Sequence, residues 1–213
     1  VETPGSLLAV GLGDGTRQWR SPLPEALRPG FVVGGRQLGA TTASGELVVV
    51  DPQAEQVHRI RTPLGVRDVV SLTADLVVVR EGASRVEALA LATGRSLWRT
   101  RKAYADVAPV QVGDVAVLAR QSSVQARNLS DGSSAWTARI RHRVRALAVD
   151  YDGNAVYVLD SAGGLTRLDA RTGLADWRVA VVGPVAARSG VQVRGDEGAL
   201  VVKTGQQLVA VSP

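Results

Sequence analysis

The sequence predicts an all-β chain, a β-propeller of four-stranded antiparallel blades of about 40 residues each, and three observations predict it. The four tryptophans close one short pattern, Gly15…Trp19, Gly94…Trp98, Gly132…Trp136 and Gly173…Trp177, with the same spacing every time. An alternating apolar run ends just upstream of each glycine, most clearly in Leu165-Thr-Arg-Leu-Asp169-Ala-Arg-Thr172-Gly173-Leu-Ala-Asp-Trp177, so each copy reads as strand, tight turn, strand. The motif positions Gly11, Asp51, Ala90, Asn128, Asp169 and Ser212 recur at the interval of one propeller blade.

From the N-terminus, residues 1–20 supply a partial blade, a third and a fourth strand around Leu7–Val10 and Arg17–Arg20. Whole blades follow over about 30–62, 66–102, 106–140 and 144–181. Their most apolar strands include Leu47–Val50, Leu76–Val79 and Val86–Leu91. A last partial blade over 185–213 holds strands at Val185–Val193, Ala199–Lys203 and Gln207–Val211. Each strand is short and bounded by Gly, Asp, Asn or Pro, as antiparallel blades require. Glycine gives the turns their positive φ, and Asp, Asn and Thr hydrogen-bond the turn backbone. Both termini supply a third strand, so the strand count does not close. This favours an arc of a seven- or eight-bladed propeller within one region, 1–213, over a closed but irregular ring of five or six blades.

Composition narrows the function classes. The hydrophobic content of 45% in 213 residues supports a packed core rather than disorder. No apolar run approaches the roughly 20 residues of a membrane-spanning helix. Cysteine is absent, which excludes disulfides, thiolate catalysis and cysteine-based metal sites. The chain opens at Val1-Glu-Thr-Pro-Gly-Ser, without methionine, and reads as an excised or processed segment. Of the 25 basic residues only Lys102 and Lys203 are lysine, a bias that points to a GC-rich bacterial genome.

The repeated pattern resembles the tryptophan-docking motif of the quinoprotein-type β-propellers, Ala-x-Asp-x-x-Thr-Gly-x-x-x-Trp, and the chain is similar in this to the BamB-type outer-membrane assembly lipoproteins. Asp169, Thr172, Gly173 and Trp177 match directly, and Thr93, Gly94 and Trp98 match with Ala90 in the aspartate slot. Asn128, Asp131, Gly132 and Trp136 match more loosely, as do Gly11, Asp14, Gly15 and Trp19. The copy at Asp51 is degenerate, with Ala54, Glu55 and Arg59 in the threonine, glycine and tryptophan slots. The resemblance implies that each indole lies against the turn of a neighbouring motif, so Trp19, Trp98, Trp136 and Trp177 are expected to be structural. The seam at Arg59 is expected to be looser.

Several motifs read as turns rather than sites. Gly11-Leu-Gly-Asp-Gly15 lacks the lysine and the following helix of a phosphate loop. Asp150-Tyr-Asp-Gly-Asn154 reads as a hairpin without the distal glutamate of a calcium loop. His58 and His142 stand far apart, each beside arginine, which suits neither a metal site nor a catalytic base.

Charge is more informative. The connections from the outer strand of one blade to the inner strand of the next lie on one propeller face. Their summed charge exceeds the +5 of the whole chain, which leaves the rest net negative. The densest point is Arg139-Ile-Arg141-His-Arg143-Val-Arg145, where an extended chain would place four guanidinium groups on one side. With Arg101 and Lys102 they form the candidate partner-binding set. With one phenylalanine, three tyrosines and the tryptophans committed to blade seams, little aromatic surface is left for base stacking, so no nucleic-acid partner is expected. An acidic protein surface fits best, with an anionic lipid or glycan as alternatives. The expected function is a non-catalytic, extracytoplasmic binding module without cofactor, with any membrane tether lying in a segment outside this one. The alternative is a fragment of a pyrroloquinoline-quinone-dependent dehydrogenase, a family whose members use calcium ligands, a catalytic aspartate and often adjacent cysteines.

Overall fold

Short apolar runs punctuated by turn residues become strands and nothing else among the described residues. The structure is a computed structural model that describes residues 6–23, 25–34, 36–51, 56–82, 85–100, 107–150, 152–185, 192–196, 199–204 and 207–211. No helix among them is long and apolar enough to cross a membrane.

Two compact units divide the chain, Val1–Arg99 and Thr100–Pro213. The first contains the pair β1 (Ser6–Val10) and β2 (Arg17–Pro22) and two four-stranded blades. One blade is β3 (Leu27–Gly34), β4 (Gln37–Thr42), β5 (Leu47–Asp51) and β6 (Gln56–Ile60); the other is β7 (Val66–Leu72), β8 (Leu76–Glu81), β9 (Arg85–Ala90) and β10 (Ser96–Arg99). The second unit holds the blade β11 (Val110–Val112), β12 (Val115–Arg120), β13 (Ser123–Asn128) and β14 (Ser134–Arg139). Next to it stand the blade β15 (Val144–Val149), β16 (Ala155–Asp160), β17 (Gly164–Asp169) and β18 (Ala175–Ala180), and a three-stranded sheet, β19 (Gln192–Asp196), β20 (Ala199–Thr204) and β21 (Gln207–Val211). Every sheet is an antiparallel meander in sequence order. The all-β class and the four-stranded blade are those the repeats predict.

The middle strands are apolar at every position because both of their faces are covered. Side chains alternate along a strand, and β5 sends Leu47 and Val49 into the cluster shared with Val66, Leu72, Val77 and Val79. Its Val48 and Val50 point the other way, to Leu23 and Trp19. In the second unit β16 does the same, with Val156 and Val158 on one side and Ala155, Tyr157 and Leu159 on the other. Outer strands such as β18 are mostly exposed.

The four glycine–tryptophan copies have one geometry. Gly15, Gly94, Gly132 and Gly173 take φ between +66° and +72°, the left-handed region that favours glycine. Each donates its N–H to the carbonyl four residues earlier, at 2.8–2.9 Å. The strand register then slips by one residue just before each tryptophan, skipping Gln18, Leu97, Ala135 and Asp176. Those four residues are exposed. The degenerate copy has no slip: Asp51 to Leu47 pair with Gln56 to Ile60 without interruption.

A bulge turns the following side chain to the other face of the sheet, and here that decides what seals each seam. Trp136 pairs with Ala126, and both belong to the cluster between the second unit's two blades. Its Nε1–H donates to Ala170 O at 2.8 Å. Its ring lies so close to the next turn that a Cβ on Gly173 would stand 2.5 Å from Cε3. In the copy without a bulge Arg59 is exposed, and the buried Ile60 reaches the next blade instead, 3.3 Å from where a Cβ on Gly94 would be. Trp177 is partly buried, 6.2 Å between ring centroids from Tyr157. Trp19 packs on Leu23, Val48 and Val50. The positions where the motif places docking turns for these two, 52–55 and from Ser212 on, lie outside the described residues.

Candidate functional site

Backbone hydrogen bonds sort the loops of the second unit onto two ends. At one end the turn between β12 and β13 meets the chain running from β14 to β15: Ile140 N–H donates to Ser122 O, and Val144 N–H to Gln121 O at 2.6 Å. Ser161 N–H, from the turn between β16 and β17, donates to Arg143 O at 2.7 Å. Residues 143 and 144 are thus clasped between two turns. At the other end Leu129 N–H donates to Asp114 O and Ala170 N–H to Asn154 O. A cleft of about 450 Å³ lies there, lined by Asp114, Asn128, Asn154, Asp169, Ala170 and Arg171 among others.

Turns between the second and third strands therefore share the face assigned to the outer-to-inner connections, and they bring acids that counting those connections alone leaves out. Asp160, fully buried, accepts from Ala162 N–H at 2.9 Å, Gly164 N–H at 3.0 Å and Arg178 Nη2 at 2.9 Å. Burial alone would push its carboxyl up, but the Arg178 guanidinium and the two N–H groups outweigh that and hold it below the usual range. In the first unit the buried Glu81 accepts from Arg85 Nε at 2.7 Å, and Glu46 accepts from Arg61 Nε at 3.1 Å. Desolvation would raise Glu81 too, yet Thr62 and Arg85 hold it low. Its neighbour Glu87 is raised, first by burial and then by the charge of Glu81.

One turn departs from this scheme. Asp160 and Glu81 each end the second strand of their blade, and in the blade β11–β14 that position is Arg120. The reason is local. The turn after Asp160 has three residues and its carboxylate caps the N–H groups of Ala162 and Gly164, whereas β12 and β13 are joined by only two, Gln121 and Ser122. Gln121 takes φ +47°, the single non-glycine positive φ among the described residues, as tight hairpin turns demand. No cap is needed, and the position is free to carry a cation.

Arg120 pairs across the hairpin with Ser123, and Ser123 with Arg139, so the three share one face at the sheet's end. The adjacent row, Ala119, Val124 and Ala138, faces into the seam instead. Arg120, Arg139, Arg141 and Arg143 are exposed and Arg145 is partly buried. None of the five is in an ion pair among the described residues, in contrast to Arg61, Arg80, Arg85, Arg167 and Arg178. Arg145 lies at a register slip between Val144 and Ala146, and its buried Nε finds no acceptor among the described residues.

Of the candidate partner-binding residues, Arg139, Arg141, Arg143 and Arg145 fall together at this end; Arg101 and Lys102 lie outside the described residues. The alternation of Arg139 to Arg145 is not that of one extended strand. β14 ends at Arg139, residues 141 and 142 form a bend, and His142 is as exposed as its arginine neighbours. Sequence reading missed Arg120. Aligning the last residue of each second strand, Thr42, Glu81, Arg120 and Asp160, would have shown a cation in a column of acceptors. No group of three or more His, Cys, Asp or Glu able to hold a metal occurs among the described residues.

A family model described as outer membrane protein assembly factor BamB matches residues 4–140 and 83–213. Among solved structures, Hsv2 of Kluyveromyces lactis superposes with a TM-score of 0.74 at 12% identity, over 98% of this chain and 68% of that one. BamB from Moraxella catarrhalis gives 0.63 at 16% identity, over 99% of this chain and 71% of that one. A chain of the mitotic checkpoint complex gives 0.68 at 9% identity, over 99% and 70%. At such identities these likenesses establish the β-propeller fold and no more. No curated protein matches the sequence significantly.

Proposed function

Since the chain belongs to the family of the outer membrane protein assembly factor BamB, we propose that it is a non-catalytic, extracytoplasmic β-propeller module that binds a protein partner and docks an acidic segment of it through the basic loop face. Support comes from the unpaired charge where the chain passes from β14 to β15: Arg120, Arg139, Arg141, Arg143 and Arg145 are in no ion pair among the described residues, whereas Glu46, Glu81 and Asp160 each hold an arginine of their own. Guanidinium forks match carboxylates two bonds at a time. A cluster of one sign also steers an oppositely charged partner into encounter and makes binding salt-sensitive, because exposed charges farther apart than about 8 Å are screened at physiological ionic strength.

The test is reversal of Arg141 and Arg143, both exposed and outside any strand, to glutamate. Capture of the partner from bacterial envelope extract should be steeply salt-dependent for the native protein and lost for the double variant, with unchanged thermal unfolding. Capture that survives the reversal with its salt dependence intact would reduce the basic face to a solvated surface.

A further inference from the structure

The absence of an acid at Arg120 does more than leave the basic face unneutralised. We infer that Arg120 and Arg139, flanking Ser123 at the end of the blade β11–β14, form a carboxylate-binding subsite that anchors an aspartate or glutamate side chain of the docked segment. This deepens the docking reading above and rests on it.

Three observations support the subsite. Arg120 and Arg139 stand on one sheet face, two strand spacings apart through Ser123, about 10 Å between Cα atoms at the usual inter-strand distance. Arginine side chains from such positions are long enough to close on one carboxylate. The backbone beneath is fixed: Ser123 Oγ donates to Arg120 O at 3.0 Å, and Ser122 O and Gln121 O are both held by the chain that carries Arg141 and Arg143. Both side chains are exposed and unpaired among the described residues. The sister blades carry an acid where this one carries Arg120. In the blade β15–β18 the molecule's own Asp160 fills the corresponding place with Arg178 as its partner, and in β7–β10 Glu81 does so with Arg85. The counterparts of Arg178 and Arg85 in the blade β11–β14 are Thr137 and Ser123, so the internal pair is not kept there, and Arg120 and Arg139 stand as two exposed cations with no carboxylate of their own among the described residues.

The repeat also supplies the test. Arg120→Glu installs the residue type found at the same place in β8, on an exposed position of a regular hairpin, so folding should survive. The probe is a short poly-glutamate peptide at low ionic strength, measured by calorimetry on the full chain. Arg95→Glu, at an exposed position in a turn of the first unit, makes the same change in net charge and serves as the control. Arg120→Glu should weaken binding at least tenfold, Arg95→Glu less than twofold, with thermal unfolding unchanged in both. If the two variants weaken binding equally, net charge alone acts and the subsite is refuted. If Arg120→Glu binds as the native protein while reversal of Arg141 and Arg143 abolishes binding, the docking face stands and the subsite falls. If none of the reversals matters, both fall. Vesicles of phosphatidylglycerol or inorganic phosphate competing as well as the peptide would overturn the carboxylate assignment.

Discussion

Replacing Trp136 with alanine should destabilise the second unit by about 3–5 kcal/mol, the range for emptying a large buried aromatic site. Trp136 is 8% exposed. Removing about 200 Å² of ring at about 25 cal/mol per Å² gives about 5 kcal/mol as an upper figure. Relaxation of the seam lowers that loss, while stranding the Ala170 carbonyl, which now accepts from Nε1 at 2.8 Å, adds about 1 kcal/mol. Trp177, only partly buried, should lose somewhat less, about 3–4 kcal/mol on the same area basis. Denaturant unfolding followed by far-ultraviolet circular dichroism measures both, and amide exchange of Ala170 and Gly173 locates the damage. A double-mutant cycle with Gly173→Ala makes the contact itself visible. In the native background the new methyl meets the indole at 2.5 Å; without the indole only the left-handed backbone strain remains, about 1 kcal/mol. A smaller loss for Trp136→Ala than for Trp177→Ala, or a Gly173→Ala cost independent of Trp136, would refute the docking account.

Two further predictions concern acids. Asp160 is held below its ordinary value of 3.8 in the fold, so its stabilising contribution is present above that pH and is lost as pH falls through the lower folded value; Asp160→Asn should flatten the acid limb of a stability–pH profile, and an unchanged limb would contradict this. Glu87 is raised above 4.5 by burial and by Glu81, so its favourable protonated form is fully present below pH 4.5 and lost as pH rises through the folded value. Glu87→Gln should therefore stabilise the first unit at pH 7 and not below pH 4.5, and a variant less stable at pH 7 would show the reasoning to be wrong.

The fold was legible because its punctuation is chemical. Gly173 and its three counterparts sit where only a positive φ closes the turn, and strands such as Leu47–Val50 are too apolar to lie anywhere but between two packed faces. The bulge before each tryptophan was not legible, since exposed residues as unlike as Gln18, Leu97, Ala135 and Asp176 occupy it and only pairing reveals it. Ile60 escaped notice for the same reason, because a template of fixed spacing points to Arg59. At the candidate site the charge run was visible but its shape was not, as a bend at 141 and 142 interrupts the alternation. Arg120 was hidden because charged residues in hairpins read as solvation, and its meaning depends on the buried Glu81 and Asp160 in the sister blades.

The slipped register behaves as a parity switch carried once per repeat. With the extra residue present, the eighth position after the motif's start faces the next blade; without it, the ninth does. Loss of the bulge at unchanged sequence length and a change of tryptophan to a smaller residue are each damaging alone, the first by turning an indole into solvent and the second by opening a void. Together they are compatible, and the blade β3–β6, with Arg59 outward and Ile60 inward, has that combination. Seams in such a chain are therefore expected to diverge in coupled pairs of changes, so a repeat lacking its tryptophan should be sought one residue out of step rather than counted as lost.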